Sequence, residues 1–165
     1  MKITKSIIVN QPSELVWKVV AEEFDQAHLW MGPVKKSYAF DEGHHNTSAP
    51  VAGRVCELGS GPKGLKAEEV ITQYNEKEQY LVFDVVPKNA PGLLPVNKNT
   101  VKMSVLNLGN GQSKVLWEST PDLKIMGKLL SPVLKIGLGK AFSDILKDLK
   151  HYCESQKSLS ATANG

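Results

Sequence analysis

The sequence predicts an α+β fold in which a curved antiparallel sheet of seven strands packs against two short helices and one long C-terminal helix. Most of the middle of the chain consists of short runs rich in β-branched and aromatic residues, separated by turn residues. One such turn, Gly109-Asn110-Gly111, is typical of a tight hairpin. From residue 130 to residue 152, by contrast, apolar residues recur every three or four positions, which is the spacing of one helix face.

The predicted elements follow one another in a simple order. A first strand over residues 2–10 ends before Pro12, which suits the first turn of a helix, and a second short helix ends at Gly32-Pro33. Six further strands are predicted at residues 35–41, 52–59, 65–74, 80–86, 100–108 and 113–120, with a polar loop at 42–50. The sequence therefore predicts a meander of six strands after the helix pair.

The last predicted helix covers residues 122–154. Pro132 is expected to kink its start, and Gly137 and Gly139 each lower its intrinsic stability by about 1 kcal/mol relative to alanine. Packing on the sheet must therefore hold this helix in place. We interpret residues 1–154 as one domain and expect the polar tail, residues 155–165, to be disordered.

Size and composition limit the class of protein. The 165 residues suit one domain, and 41% apolar with 22% charged residues is typical of a soluble globular protein. No apolar run approaches the roughly 18 to 20 residues of a membrane span, and the start lacks the apolar core of a secretory signal. We therefore expect a cytoplasmic protein with no stable membrane insertion, in which Cys56 and Cys153 are free thiols.

The cations of the chain are almost all lysines. The net charge is +3, and Arg54 is the only arginine. Because arginine dominates the recognition of phosphates and bases, this composition argues against a nucleic-acid partner.

A glycine-rich segment imitates a nucleotide-binding motif. Residues 59–64 read Gly-Ser-Gly-Pro-Lys-Gly, follow a predicted strand, and stand 20 residues before Asp84. However, the preceding strand contains Arg54 and Glu57, whereas a central parallel strand is apolar throughout. Pro62 also removes a backbone donor from the loop. We expect no nucleotide cofactor, and this interpretation requires the next segment to be a strand and not a helix.

Metal binding and covalent catalysis have little support. His44 and His45 stand beside acidic residues, and Asp25 and His28 are three positions apart, but no further ligand has a supporting spacing. The chain has no Gly-x-Ser-x-Gly elbow. We therefore expect neither a metal nor a nucleophilic residue.

The strands place aromatic and apolar side chains beside a few ionisable groups. Strict alternation puts residues 68, 70, 72 and 74 on one face of their strand, and likewise 81, 83 and 85, and 115, 117 and 119. If these faces meet the long helix, Arg54 and Glu68 lie among hydrophobic residues and the sheet forms a ligand chamber. If they do not, the interior is an ordinary packed core with both charges outside. The residues alone leave both interpretations open.

Several short motifs, in their order, resemble one known superfamily. Residues 8–17 read Ile-Val-Asn-Gln-Pro-Ser-Glu-Leu-Val-Trp, and Phe24 and Trp30 follow. Further motifs are Gly-Arg-Val at 53–55, Glu-Glu-Val at 68–70, Gly-Leu-Leu-Pro-Val at 92–96 and Val-Leu-Trp at 115–117. This order is similar to that of the START-like superfamily (SRPBCC) of polyketide cyclases/dehydrases and lipid-transport proteins, which have the helix-grip fold of birch pollen allergens. The resemblance covers residues 1 to about 153.

The resemblance implies a cavity between the sheet and the last helix that accepts lipids, sterols, plant hormones or polyketides. Residues 92–96 correspond to a loop at its mouth, where relatives often have a nearby tyrosine; this chain has Asn97-Lys98-Asn99, so Lys98 is expected to meet an acidic head group. The implied ligand-binding residues are Tyr38, Arg54, Glu68, Val70, Phe83, Val85, Leu94, Lys98, Met103, Trp117, Leu130, Leu134 and Leu138.

Three functions are compatible with the sequence. The first is a carrier or sensor whose partner is a hydrophobic small molecule or lipid. The second is a cyclase, aromatase or dehydratase that uses Glu68 as acid or base. The third is an interaction module with a closed core. The sequence does not predict the oligomeric state or the ligand.

Overall fold

The computed structural model describes residues 1–40, 47–92 and 95–162, and within them the side chains of all but Phe40 and residues 157–162. The strands of this part of the chain are β1 (Ile3–Val9), β2 (Lys36–Phe40), β3 (Gly53–Glu57), β4 (Lys66–Asn75), β5 (Tyr80–Lys88), β6 (Val96–Gly109) and β7 (Gln112–Leu123). Helix α1 (Ser13–Trp17) continues into a π-helical turn (Lys18–Glu22) and a 3-10 helix (Phe24–Leu29), and α2 (Ile125–Leu129) and α3 (Ser131–Thr162) follow the last strand.

The described strands form one antiparallel sheet in the order β1-β7-β6-β5-β4-β3-β2. Strands β2 to β7 therefore pair in the order of the chain. Strand β1 pairs with β7, so that β1 and β2 are the two edge strands. This confirms the predicted α+β class with seven strands, short helices and a long C-terminal helix. Parallel pairing, which a nucleotide-binding βαβ unit needs, is absent from the described sheet.

The two faces of the sheet differ in burial. We call the face that carries the buried Val101, Met103, Val115 and Trp117 the inner face, and the opposite one the outer face. A β-bulge in β4 leaves Thr72 without a partner between Ile71 and Gln73. Because a bulge adds one residue to one strand, it reverses the alternation of the side chains beyond it.

The glycine-rich segment is a hairpin connection between β3 and β4. The amides of Leu58 and Gly59 both donate to the carbonyl of Leu65, at 2.9 Å. A Cβ atom on Gly59 would lie 2.5 Å from the nitrogen of Leu65, and Gly61 has a φ of +77°, so the turn itself needs its glycines. The segment that follows, Lys66–Asn75, is a strand, which rules out the nucleotide-binding interpretation.

The C-terminal helical region differs from its prediction at both ends. Strand β7 continues to Leu123, and the backbone of Leu130 (φ −90°, ψ 7°) separates α2 from α3, so that Pro132 lies in the first turn of α3. The sequence placed the domain end at 154 with a disordered tail, whereas α3 continues to Thr162; residues 163–165 lie outside the described part. Within the described residues, no helix is both long enough and apolar enough to cross a membrane.

The second half of α3 is fixed to the rest of the molecule. Leu146, Leu149 and Cys153 are buried against the inner face and α1. Four long-range hydrogen bonds surround this packing: Asn10 N to Glu154 Oε1 (2.8 Å), Gln11 Nε2 to the carbonyl of Cys153 (3.1 Å), Gly32 N to Asp148 Oδ2 (3.0 Å) and Lys150 Nζ to the carbonyl of Ile8 (2.7 Å). Packing and hydrogen bonds thus fix the half of the helix that does not contain its two glycines, Gly137 and Gly139.

We expect Leu149→Ala to lower the free energy of unfolding by about 2–5 kcal/mol, because it removes a side chain that has no exposed surface. Ile136→Ala, an aliphatic truncation on the same helix at a side chain that is 76% exposed, should cost less than about 0.5 kcal/mol. Urea unfolding of the two variants measures both values. Equal losses would contradict the packing of α3 described here.

Candidate functional site

The inner face collects most of the predicted aromatic and aliphatic strand residues. Phe83, Met103 and Trp117 are buried there, and Val85 packs against the same core from a partly buried position. These residues belong to the interior that the sequence predicted.

Four predicted ligand contacts lie on the outer face instead. Glu68 is only half-buried and pairs with Lys88, while Val70 and Tyr38 are exposed. Tyr38 also stands beneath the ammonium of Lys36, at 5.5 Å. Glu68 and Val70 point outward because the inner residues of β4 are Ala67, Glu69 and Ile71, one position out of step with the predicted alternation. Tyr38 of β2 lies on the same outer face, in the cross-strand row that joins it through Val55 to Glu68. Beyond the bulge, Tyr74 turns to the inner side and contacts Trp17, with ring centroids 5.3 Å apart.

Lys98 is the fourth of these residues. Its ammonium lies 2.9 Å from Asp84 Oδ2, and the hydroxyl of Thr100 donates to the other oxygen of Asp84 at 2.6 Å. Partial burial raises the pKa of Asp84, but the hydrogen bonds from Thr100 and Lys98 outweigh it and hold the pKa below its usual value. Lys98 is therefore engaged on the outer face and does not reach a ligand in the interior.

The charged centre of the interior is an ion pair between Arg54 and Glu69. Both side chains are buried, and Arg54 Nε and Nη2 lie 2.8 and 2.6 Å from Glu69 Oε2. Arg54 Nη1 donates to the carbonyl of Phe24 at 2.6 Å, and the guanidinium stacks 4.0 Å from the ring of Phe24. The predicted Arg54 is thus inside, but its partners are protein groups.

Glu69 is the residue that sequence reasoning missed. In the β3–β4 hairpin, Leu58 bonds to Leu65, and counting four residues outward from both brings Arg54 opposite Glu69. The position of the turn at residues 59–64 was therefore a usable signal. Charged residues of opposite sign directly across an antiparallel pair stabilise each other, which makes this register favourable.

One row of side chains crosses the inner face at the level of this ion pair. The cross-strand partners in the row are Arg54, Glu69, Val85, Asn99 and Pro121. The carboxamide oxygen of Asn99 accepts a hydrogen bond from the hydroxyl of Ser119, which is fully buried, at 2.7 Å. The row therefore carries polar groups on both sides of Val85, the ion pair on one side and Asn99 on the other.

A row of aromatic rings lies next to this polar row in the interior. Phe24 meets Phe83 edge-on at 5.3 Å, Phe83 meets Trp117 at 6.2 Å, and Trp117 stacks on Phe142 of α3 at 5.3 Å. The indole nitrogen of Trp117 is buried and has no hydrogen-bond partner among the described residues. Aromatic side chains thus fill the lower part of the interior and leave one buried donor unpaired.

The first half of α3 lies beside β1, where Gly139 approaches Ile3 and Lys5. Leu138 packs against the core, Leu134 is partly buried, and Leu130 is half-exposed between α2 and α3. In the predicted mouth loop, the carbonyl of Pro95 accepts a hydrogen bond from the amide of Lys124 at 2.9 Å. Leu94 lies outside the described residues.

Charged side chains are rare on the described inner face of the sheet. Besides Arg54 and Glu69, only Lys5 of the edge strand β1 shares this side, where it approaches α3 at Gly139. Asp25 and His28 instead bind Ser37: its hydroxyl donates to the carbonyl of Asp25 at 2.6 Å and lies 2.9 Å from His28 Nδ1. No cluster of three potential metal ligands exists in the described residues, and His44 and His45 lie outside them.

The two cysteines are free and buried. Burial raises the pKa of Cys56 and of Cys153 to about 12 in each case. Both thiols therefore stay protonated at neutral pH and are poor nucleophiles, although Cys56 lies beside the ion pair.

We predict that Glu69→Gln lowers the free energy of unfolding by about 3–5 kcal/mol, because it leaves the charge of Arg54 buried without its counter-ion. Glu68→Gln removes the neighbouring carboxylate from the outer face and should cost less than about 1 kcal/mol. Denaturant unfolding of this matched pair tests the register of β4. A larger loss of stability for Glu68→Gln would contradict this register, because it would mean that Glu68 and not Glu69 is the buried carboxylate.

Both thiols should react slowly with a disulfide reagent in the native protein near pH 8 and rapidly after denaturation, when their pKa values return to about 8.5. The folded state also holds these protons more tightly than the unfolded state. Its stability from this source is therefore complete below about pH 8.5 and declines as the pH rises towards 12. Rapid labelling of two thiols without denaturant would contradict their burial.

Residues 1–154 match the family described as "Polyketide cyclase / dehydrase and lipid transport". No curated protein matches the sequence significantly. Several solved structures, however, share the fold over nearly the whole chain.

XoxI from Bacillus cereus aligns with 94% of this chain and 97% of its own, at a TM-score of 0.71 and 20% identity. A START superfamily protein from Mycobacterium smegmatis aligns with 94% of this chain and 95% of its own, at 0.64 and 13%. The Zhui aromatase/cyclase from Streptomyces sp. R1128 aligns with 93% of both chains, at 0.67 and 12%. At these identities the likeness establishes the helix-grip fold, as the resemblance implied.

Proposed function

Because the chain belongs to the polyketide cyclase/dehydrase and lipid transport family, we propose that it binds an apolar small molecule or lipid between the inner face of the sheet and the first half of α3. The observation that carries the proposal is the polar row. It gives a mostly apolar inner face a few polar groups at one level, which is the usual design of a small-ligand site.

Asn99 is the residue best suited to orient the ligand. Its carboxamide oxygen accepts a hydrogen bond from Ser119, and its side-chain nitrogen Nδ2 has no partner among the described residues. Asn99 is also only partly buried, so a carbonyl or carboxylate of a ligand reaches it without displacing a protein group. We propose that Asn99 donates to an acceptor on the ligand while Val85 and Leu138 contact its apolar part.

Apolar burial would supply most of the affinity. At about 25 cal/mol per Å² of apolar surface removed from water, a lipid chain gains several kcal/mol, while one hydrogen bond adds about 1 kcal/mol. Because apolar burial is not directional, the affinity would depend little on the shape of the lipid chain. Asn99 would determine the orientation of the head group.

Catalysis by the predicted acid or base does not form part of this proposal. Glu68 points away from the inner face, and Glu69, which points inward, is held by Arg54. A carrier needs no acid or base, so the observed arrangement favours binding over the cyclase-type reaction.

The site is tested by two valines that lie on opposite faces of the sheet. We expect Val85→Trp, which fills the inner face, to weaken the uptake of a fluorescent long-chain fatty acid at least about tenfold, equivalent to about 1.4 kcal/mol. Val70→Trp adds the same ring to the outer face and should change the affinity less than about twofold. Fluorescence titration of both variants gives the two dissociation constants.

Asn99→Leu complements this pair, because leucine keeps the branched shape of asparagine but cannot donate to the ligand. It also removes the acceptor of the Ser119 hydroxyl, so urea unfolding of the variant verifies that the fold is retained. The affinity should fall about five- to tenfold, as expected for one lost hydrogen bond. If the wild-type protein takes up no fatty acid, or if Val70→Trp weakens uptake as much as Val85→Trp, the proposed site is wrong.

A further inference from the structure

An exposed apolar surface covers α2 and the start of α3. Half of the twelve large hydrophobic side chains that are exposed in the described residues lie in one stretch of twelve positions. We call them the aliphatic ridge: Ile125, Met126, Leu129, Leu130, Val133 and Ile136. Five of the six are 66–80% exposed, whereas none of the others in the described chain exceeds 50%. Such clustering marks an interaction site, because exposed apolar residues are otherwise scattered.

The ridge has a strongly one-sided charge environment. Between Asp122 and Asp144 the chain contains four lysines, at 124, 128, 135 and 140, and no acidic residue. A groove of about 690 Å³ beside the ridge brings Lys135 and Lys140 together with Lys2 and Lys5 of β1. Lys2 and Lys140 form ion pairs, but Lys5, Lys124, Lys128 and Lys135 have none within the described residues.

The ridge is held in a fixed place on the protein. A Cβ atom on Gly127 would lie 2.5 Å from the carbonyl oxygen of Pro95, so α2 is in close contact with the loop before β6. The amide of Lys124 also donates to that carbonyl. In α3, Leu134 and Leu138 turn towards the protein, while Val133 and Ile136 turn towards solvent. The helix is therefore apolar on both faces here, and packing within the chain uses only one of them.

We propose that the aliphatic ridge docks on the surface of an anionic lipid bilayer. Large aliphatic side chains flanked by lysines are typical of helices that lie in the membrane interface, where the side chains enter the acyl region and the lysines meet anionic head groups. A second protein is less suitable as the occupant, because the cores of protein interfaces are depleted in lysine. The proposal concerns the outside of α3 and does not depend on what the interior binds.

Co-sedimentation of the full chain with vesicles tests this proposal. We expect binding to phosphatidylcholine vesicles that contain about 30% phosphatidylserine, and about tenfold weaker binding to phosphatidylcholine alone or at high salt. Leu129→Gln/Ile136→Gln and Lys128→Glu/Lys135→Glu should each weaken the binding about tenfold or more. Both pairs alter exposed side chains, and urea unfolding of the variants verifies that the fold is retained.

Matched controls distinguish an effect of the ridge from a general effect of exposed apolar residues or of net charge. Leu106→Gln/Leu108→Gln removes two exposed leucines from β6, and Lys63→Glu/Lys77→Glu makes the same change of net charge at two other exposed positions. Both controls should bind vesicles within about twofold of the wild type. Failure of the wild type to bind anionic vesicles, equal losses in controls and ridge variants, or a dimer in solution that Leu129→Gln dissociates would each overturn the proposal. Uptake of fatty acid from solution should be unchanged in Leu129→Gln/Ile136→Gln, so failure here is distinguishable from failure of the proposed site.

Discussion

The buried ion pair between Arg54 and Glu69 constrains three parts of the molecule at once. It joins β3 to β4 and, through the carbonyl of Phe24, fixes the 3-10 helix to the inner face. Because two charges are desolvated, the pair adds little to stability over an apolar alternative, but any arrangement that separates them is strongly disfavoured. A slip of one residue in β4 would turn every side chain of that strand to the opposite face and set either Val70 or Glu68 opposite Arg54 in place of Glu69. We infer that the pair and the turn at residues 59–64, which sets Glu69 opposite Arg54, together select the register on which the composition of the interior depends.

The order of the elements was predictable, while the phase of β4 was not. Turn residues located the six strands of the meander to within a few positions, except at the start of β6, whereas the predicted helix 122–154 began inside β7 and ended eight residues before α3 does. In β4, however, Glu68 and Glu69 are followed by Val70 and Ile71, so either phase places one acid and one aliphatic residue inside. Local pattern cannot decide between them. The decision comes from the turn at residues 59–64, which sets Glu69 opposite Arg54, and from the bulge at Thr72, which restores Tyr74 to the inner side.

The long helix posed a related problem at its first half. Apolar spacing predicted that Leu130, Leu134 and Leu138 face the sheet, and the last two turn inward. Residues 125–136 carry apolar side chains all around the helix, however, so the period does not identify the outward set. Helix α3 therefore has an inner face that belongs to the proposed ligand site and an outer face that forms the aliphatic ridge together with α2. Its second half, fixed by four long-range hydrogen bonds, supports both.

The interior consists of a cluster of packed aromatic rings and, next to it, a polar row with an unpaired hydrogen-bond donor. Phe24, Phe83, Trp117 and Phe142 pack against one another below the polar row, while Asn99 offers free amide protons above them. Native mass spectrometry of the freshly purified protein tests most directly whether this arrangement holds a ligand. We expect an added mass of lipid size that is released on denaturation, or that appears after incubation with a fatty acid. A bare chain mass under both conditions would contradict it and favour a closed interaction module.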